Sequence, residues 1–115
     1  MIGQVFTTLG KHLPPPAGAK SPALWGARDR LTGMFGLSAT IAIEPRVFRY
    51  RSPDHFLDVL RTYYGPMLKA FAALDAAGRT HLAADLRDLF ARANRADDGT
   101  MVGPSEYLEV VMTKR

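Results

Sequence analysis

The stretch Ala39-Thr40-Ile41-Ala42-Ile43-Glu44-Pro45-Arg46-Val47-Phe48-Arg49-Tyr50 decides how this chain is read. Ala39, Ile41 and Ile43 alternate with Thr40, Ala42 and Glu44, the two-residue period of a strand. After Pro45 the apolar parity moves to Phe48 and Tyr50, with Arg49 and Arg51 opposite. Proline cannot donate to a ladder, so the change of parity predicts a bulge or a sheet edge at that point.

Helical patterns flank this strand on both sides. Upstream, Ile2, Val5, Phe6, Leu9 and Leu13 share one helical face, and Pro14-Pro15-Pro16 stops the helix and stiffens the loop over 14–20. Ser21-Pro22 starts a second helix over 22–36, with Leu24, Trp25, Leu31, Met34 and Phe35 apolar and Gly36 as terminator. Downstream, Ser52-Pro53-Asp54 repeats the cap-plus-proline start, and Phe56, Leu57, Leu60, Tyr63 and Tyr64 follow at helical spacing. Gly65-Pro66 breaks that helix. Met67, Leu68, Phe71 and Leu74 mark the next piece, and Asp75 caps a third carrying Leu82, Leu86, Leu89, Phe90 and Ala93.

Asp97-Asp98-Gly99 is turn chemistry, Gly103-Pro104 reads as an interruption, and Tyr107-Leu108-Glu109-Val110-Val111-Met112 reads as a strand covered on both faces. Two strands among five helical pieces give an α+β domain. They are too few for a stable open sheet, which needs three or more with a covered face.

Length and composition bound the function classes. The chain has 115 residues, 47% of them hydrophobic, which fits one globular domain. It has no cysteine, excluding a disulfide scaffold, a thiolate zinc site and a cysteine nucleophile; a cytoplasmic protein is expected. No apolar run is long enough to span a membrane, and the start lacks a signal-peptide pattern. The net charge of +4 comes entirely from residues 1–51, with seven basic side chains against two acidic ones. Only Arg46, Arg49 and Arg51 are closely spaced there, so no nucleic-acid partner is expected.

His12, His55 and His81 fall on three different helices with no second histidine one turn away, so no metal site is expected. Ser21, Ser52 and Ser105 read as capping or turn serines rather than nucleophiles, and no catalytic residue is assigned. Asp85 and Asp88 read as a solvated helix face. Nowhere are two glycines separated by a single residue, so no G-x-G loop can bring backbone close to a nucleotide cofactor. Trp25, Phe56, Tyr63 and Tyr64 are the best candidates for pocket walls beside the Gly65-Pro66 break, although core packing is the stronger reading for that set.

Several literal strings carry a resemblance: Gly10-Lys11-His12-Leu13-Pro14-Pro15-Pro16-Ala17-Gly18, Ser21-Pro22-Ala23-Leu24-Trp25-Gly26, Tyr50-Arg51-Ser52-Pro53-Asp54-His55-Phe56, Arg61-Thr62-Tyr63-Tyr64-Gly65-Pro66 and Ser105-Glu106-Tyr107-Leu108-Glu109-Val110-Val111. Together they resemble the C-terminal half of bacterial class I S-adenosylmethionine-dependent methyltransferases of the ubiquinone/menaquinone-biosynthesis type. The resemblance covers essentially the whole chain and about half of a family member.

The resemblance implies an α/β, Rossmann-like sheet in which residues 39–50 form the sixth strand and 106–113 the seventh, inserted between the fifth and sixth. It makes 1–36 a lid-like helical segment over the substrate side and 39–113 a strand-helices-strand unit. The family's cofactor loop and ribose-binding acid have no counterpart here. S-adenosylmethionine is thus a cofactor by resemblance only and is not expected to bind this chain alone, and Met1 stands where longer proteins continue upstream.

The expected function is that of a methyltransferase C-terminal fragment, not catalytic alone, awaiting an N-terminal half in trans. The alternative is a homodimeric small-molecule-binding or interaction module paired through residues 106–113, since an apolar strand with an open edge recruits another chain. Substrate-pocket candidates are Trp25, Tyr63 and Tyr64, then His12 and His55.

Overall fold

Capping side chains fix where two of the five α-helices begin in the computed structural model, which describes residues 1–36 and 40–112. Ser52 Oγ accepts from the His55 amide at 3.0 Å and opens α3 (Pro53–Tyr63). Asp75 Oδ1 accepts from Gly78 at 2.8 Å and opens α5 (Ala76–Ala93). Between them α4 (Gly65–Ala73) starts at the predicted break, where Pro66 occupies the first turn without losing a bond. At the N-terminus α1 (Ile2–His12) ends ahead of the triple proline.

Residues 22–36 are not one helix. Ser21 Oγ bonds the Ala23 amide at 3.2 Å and starts a tight 3-10 turn over Pro22–Gly26; Ala27 is extended, and α2 (Arg28–Phe35) begins only after it. A side-chain bond to the second following residue tightens the chain into a turn, and Gly26 does nothing to sustain a helix.

β1 (Thr40–Tyr50) and β2 (Met101–Val111) form a two-stranded antiparallel ribbon with Thr40 opposite Val111 and Tyr50 opposite Met101. Ala39 and Thr113, at the ends of the predicted strands, lie outside the described residues. β2 starts earlier than expected and runs straight through Gly103-Pro104. Val102 explains why. It donates its N–H to Asn94 Oδ1 at 2.7 Å and accepts at its carbonyl from the Arg95 N–H at 3.0 Å, so both of its main-chain groups point away from β1.

These groups alternate sides along an antiparallel ladder. The unbroken register therefore turns Pro104, Glu106, Leu108 and Val110 outward, with their partners Val47, Pro45, Ile43 and Ile41. Both prolines occupy positions where the missing N–H costs no ladder bond, and Pro45 marks an edge rather than a bulge.

Directly opposed residues share a face of the ribbon. Phe48, Tyr50 and Met101 lie on one face and pack on the helical core; Ile41, Leu108 and Val110 lie on the other, where Leu31 and Phe35 of α2 line a cleft with Leu108 and Val110. The change of apolar parity at Pro45 is the sequence record of this change of side. Tyr107 and Val111 are half-exposed, so the end of β2 is covered on one face and not on both.

The main core gathers Val5 and Leu9 of α1, Phe56, Leu57 and Leu60 of α3, Met67 and Phe71 of α4, and Leu82, Leu86 and Phe90 of α5 around Met101. Phe56 is its aromatic hub, with ring centroids 4.7 Å from Phe90, 4.7 Å from Tyr50 and 5.8 Å from Phe48. Five α-helices and one ribbon among the described residues make this an α+β structure. Its Cα radius of gyration is 16.4 Å, against about 13 Å for a compact domain of this length. The ribbon is the reason: only its Tyr50–Met101 end is seated on the main core.

Candidate functional site

The first turns of α1, the Pro22–Gly26 turn and the middle of the ribbon enclose a cleft of about 640 Å³. Each wall has a local cause. The Ser21 cap and Pro22 fix the short turn that carries Trp25, which is 56% exposed and lies beside Leu108 of β2. The helical period of α1 presents Ile2 and Phe6 together. The even positions of β1 contribute Arg46 and Phe48, and Phe48 stands opposite Gly103. Arg46 and Glu106 both line the cleft and neither forms an ion pair among the described residues, so a mainly apolar and aromatic cleft carries one cation and one carboxylate on its wall.

The five expected pocket residues do not converge. Trp25 is in the cleft. Tyr64 sits behind it, its ring 6.1 Å from Phe6 in an edge-to-face contact, and burial pushes its phenol pKa up. Tyr63 is 82% exposed and belongs neither to the cleft nor to the core. One residue separates their fates, because adjacent positions on a helix end point about a quarter-turn apart.

His12 is at the opposite end of α1, with Nε2 2.8 Å from Asp85 Oδ2. That hydrogen bond lowers the Asp85 pKa, helped by the nearby charges of His12, Lys11 and His81. His55 lies at the start of α3, its Nδ1 accepting from the Arg51 amide at 3.4 Å and its ring 5.6 Å from Tyr50. Phe6, Arg46, Phe48 and Tyr107 line the cleft without having been singled out. The even parity of Arg46 and Phe48 was the available signal, but the partner strand's register was needed to join them to Tyr107.

The donors present do not fit S-adenosylmethionine. The one strand-to-helix turn among the described residues is Tyr50-Arg51-Ser52-Pro53; it has no glycine, Pro53 has no amide to offer, and the His55 amide is already taken by Ser52. No group of three or more His, Asp or Glu side chains converges as a metal site among the described residues. No helix there is long and apolar enough to cross a membrane. Comparison of the chain with protein-family models, with curated proteins and with solved structures found no match.

Proposed function

We propose that this chain is the C-terminal, substrate-side part of an S-adenosylmethionine-dependent methyltransferase of the ubiquinone/menaquinone-biosynthesis type, and that it neither binds the cofactor nor catalyses methyl transfer alone. One observation carries the reading. The outward main-chain groups of Glu106, Leu108 and Val110 on β2 have no hydrogen-bond partner among the described residues. In the fold that the quoted strings resemble, this edge is where the fifth strand stands. The opposite edge belongs to β1, whose Pro45 has no donor to offer, as suits the last strand of a sheet.

In this reading the Trp25–Phe48 cleft faces the acceptor. Its residues would orient rather than react, because methyl transfer depends on alignment of acceptor and sulfonium. Calorimetric titration of the isolated chain with S-adenosylmethionine is expected to give no saturable heat. Tight, saturable binding would overturn the proposal.

A second reading, a homodimeric small-molecule-binding module, is favoured by the cleft itself, in which Phe6, Trp25 and Phe48 stand beside a few polar groups. Trp25 is the only tryptophan of the chain and reports on the cleft directly. Titration with naphthol should shift its emission to the blue and quench it in a saturable way; a linear response would remove this reading.

A further inference from the structure

We propose that a second cleft, at the base of the ribbon, binds the phosphate group of a small organic phosphate monoester. This site is independent of the methyltransferase reading. The cleft measures about 610 Å³ and is lined by Arg49, Tyr50, Arg51, His55, Thr100 and Val102, together with the edge of the buried Met101. No carboxylate lines it, and neither Arg49, Arg51 nor His55 forms an ion pair among the described residues.

The donors are chemically matched to a tetrahedral oxyanion. Arg49 near the end of the ladder and Arg51 just beyond β1 stand two positions apart, and each guanidinium offers a planar fork suited to two phosphate oxygens. Arg51 also donates its own amide to His55 Nδ1 at 3.4 Å, which puts the hydrogen of a neutral ring on Nε2 and makes His55 a donor on the cleft's lining. His55 belongs to the first turn of α3, so the positive end of that helix adds to the field. The acid in the same turn, Asp54, is engaged elsewhere, its Oδ1 accepting from Arg87 Nε at 2.6 Å.

The cleft is open to solvent, so a ligand there would be held by its phosphate group first and by the apolar surface beside it second. Tyr50 and Val102 supply apolar surface beside the cations, against which the ring of the ester would lie. Arginines on a strand edge also deter unwanted pairing. That role alone predicts no saturable ligand response.

The test uses phenyl phosphate, inorganic phosphate and phenol as probes, followed by amide chemical shifts at constant ionic strength. Phenyl phosphate should perturb residues 49–55 and 100–102 saturably, inorganic phosphate the same residues more weakly, and phenol alone should not saturate. Arg49→Gln and Arg51→Gln should each weaken phenyl phosphate about tenfold, as loss of a charge-assisted hydrogen bond does, while Lys69→Gln on α4 should leave it unchanged. Shifts spread over all the arginines, equal effects of the three substitutions, or tighter binding of a mixed-sequence oligonucleotide than its phosphate count explains would each overturn the proposal. Inorganic phosphate binding as tightly as phenyl phosphate would overturn the ester as its ligand.

Discussion

His12 Nε2 lies 2.8 Å from Asp85 Oδ2, and the bond joins the last turn of α1 to the middle of α5 across 73 positions of sequence. It clamps the N-terminal helix that forms one wall of the Trp25 cleft. The Asp85 pKa is lowered in the folded state, first by this hydrogen bond. A depressed carboxylate contributes stability that is complete above its unfolded value, about 3.9, and is lost as pH falls through the lower folded value. Thermal melts of the parent chain and Asp85→Ala should therefore differ most above that value and converge in stronger acid. Parallel curves at every pH would show that the bond does not hold α1 in place.

Phe56 is wholly buried against Phe90, Tyr50 and Phe48, so it ties α3 to both α5 and the ribbon. Phe56→Ala should cost about 3–5 kcal/mol in urea unfolding. Tyr63→Ala, at a residue 82% exposed, should stay within about 0.5 kcal/mol of the parent.

Asn94 holds the approach to β2 with three bonds. Its Oδ1 accepts from the Ala96 and Val102 amides at 3.1 and 2.7 Å, and its Nδ2 donates to the Thr100 carbonyl at 2.8 Å. Asn94→Ala leaves those groups without partners and should cost about 1–3 kcal/mol. Asn94→Asp keeps the acceptor and should recover part of that loss. Hydrogen exchange at the Val102 amide checks both, and should rise in the order parent, Asp, Ala.

How much of this was legible beforehand depended on the range of the interaction. The Ser52 and Asp75 caps, the break before Pro66 and the buried stripe Leu82-Leu86-Phe90 all follow from contacts within a few residues, and all are present. The same local logic failed at 22–36, where the turn carrying Trp25 interrupts a pattern that looked continuous.

Pro104 read as a break because its ladder position depends on the register against β1, more than fifty residues away. The parity change at Pro45 was visible, but its cause, a ribbon covered by the main helices on one face and α2 on the other, needed the fold. Of the pocket candidates, Trp25 lines the cleft, but on a turn that the pattern over 22–36 does not show. Arg46 and Tyr107 meet only across paired strands, which no local pattern shows, and Tyr63 lies away from the cleft because neighbouring side chains at a helix end point apart.

On the function proposed above, the β2 edge from Glu106 to Val110 takes a strand from another chain. In the isolated protein a second copy is the available donor. Glu106 points its N–H outward, so Glu106→Pro removes an edge donor without removing a β1–β2 bond. Sedimentation equilibrium of the parent and Glu106→Pro chains at micromolar concentration is the most direct measurement. The parent is expected to be a homodimer and Glu106→Pro a monomer with the same far-ultraviolet circular dichroism; a parent chain that sediments as a well-folded monomer, or a variant that remains dimeric, would rule out strand pairing at this edge.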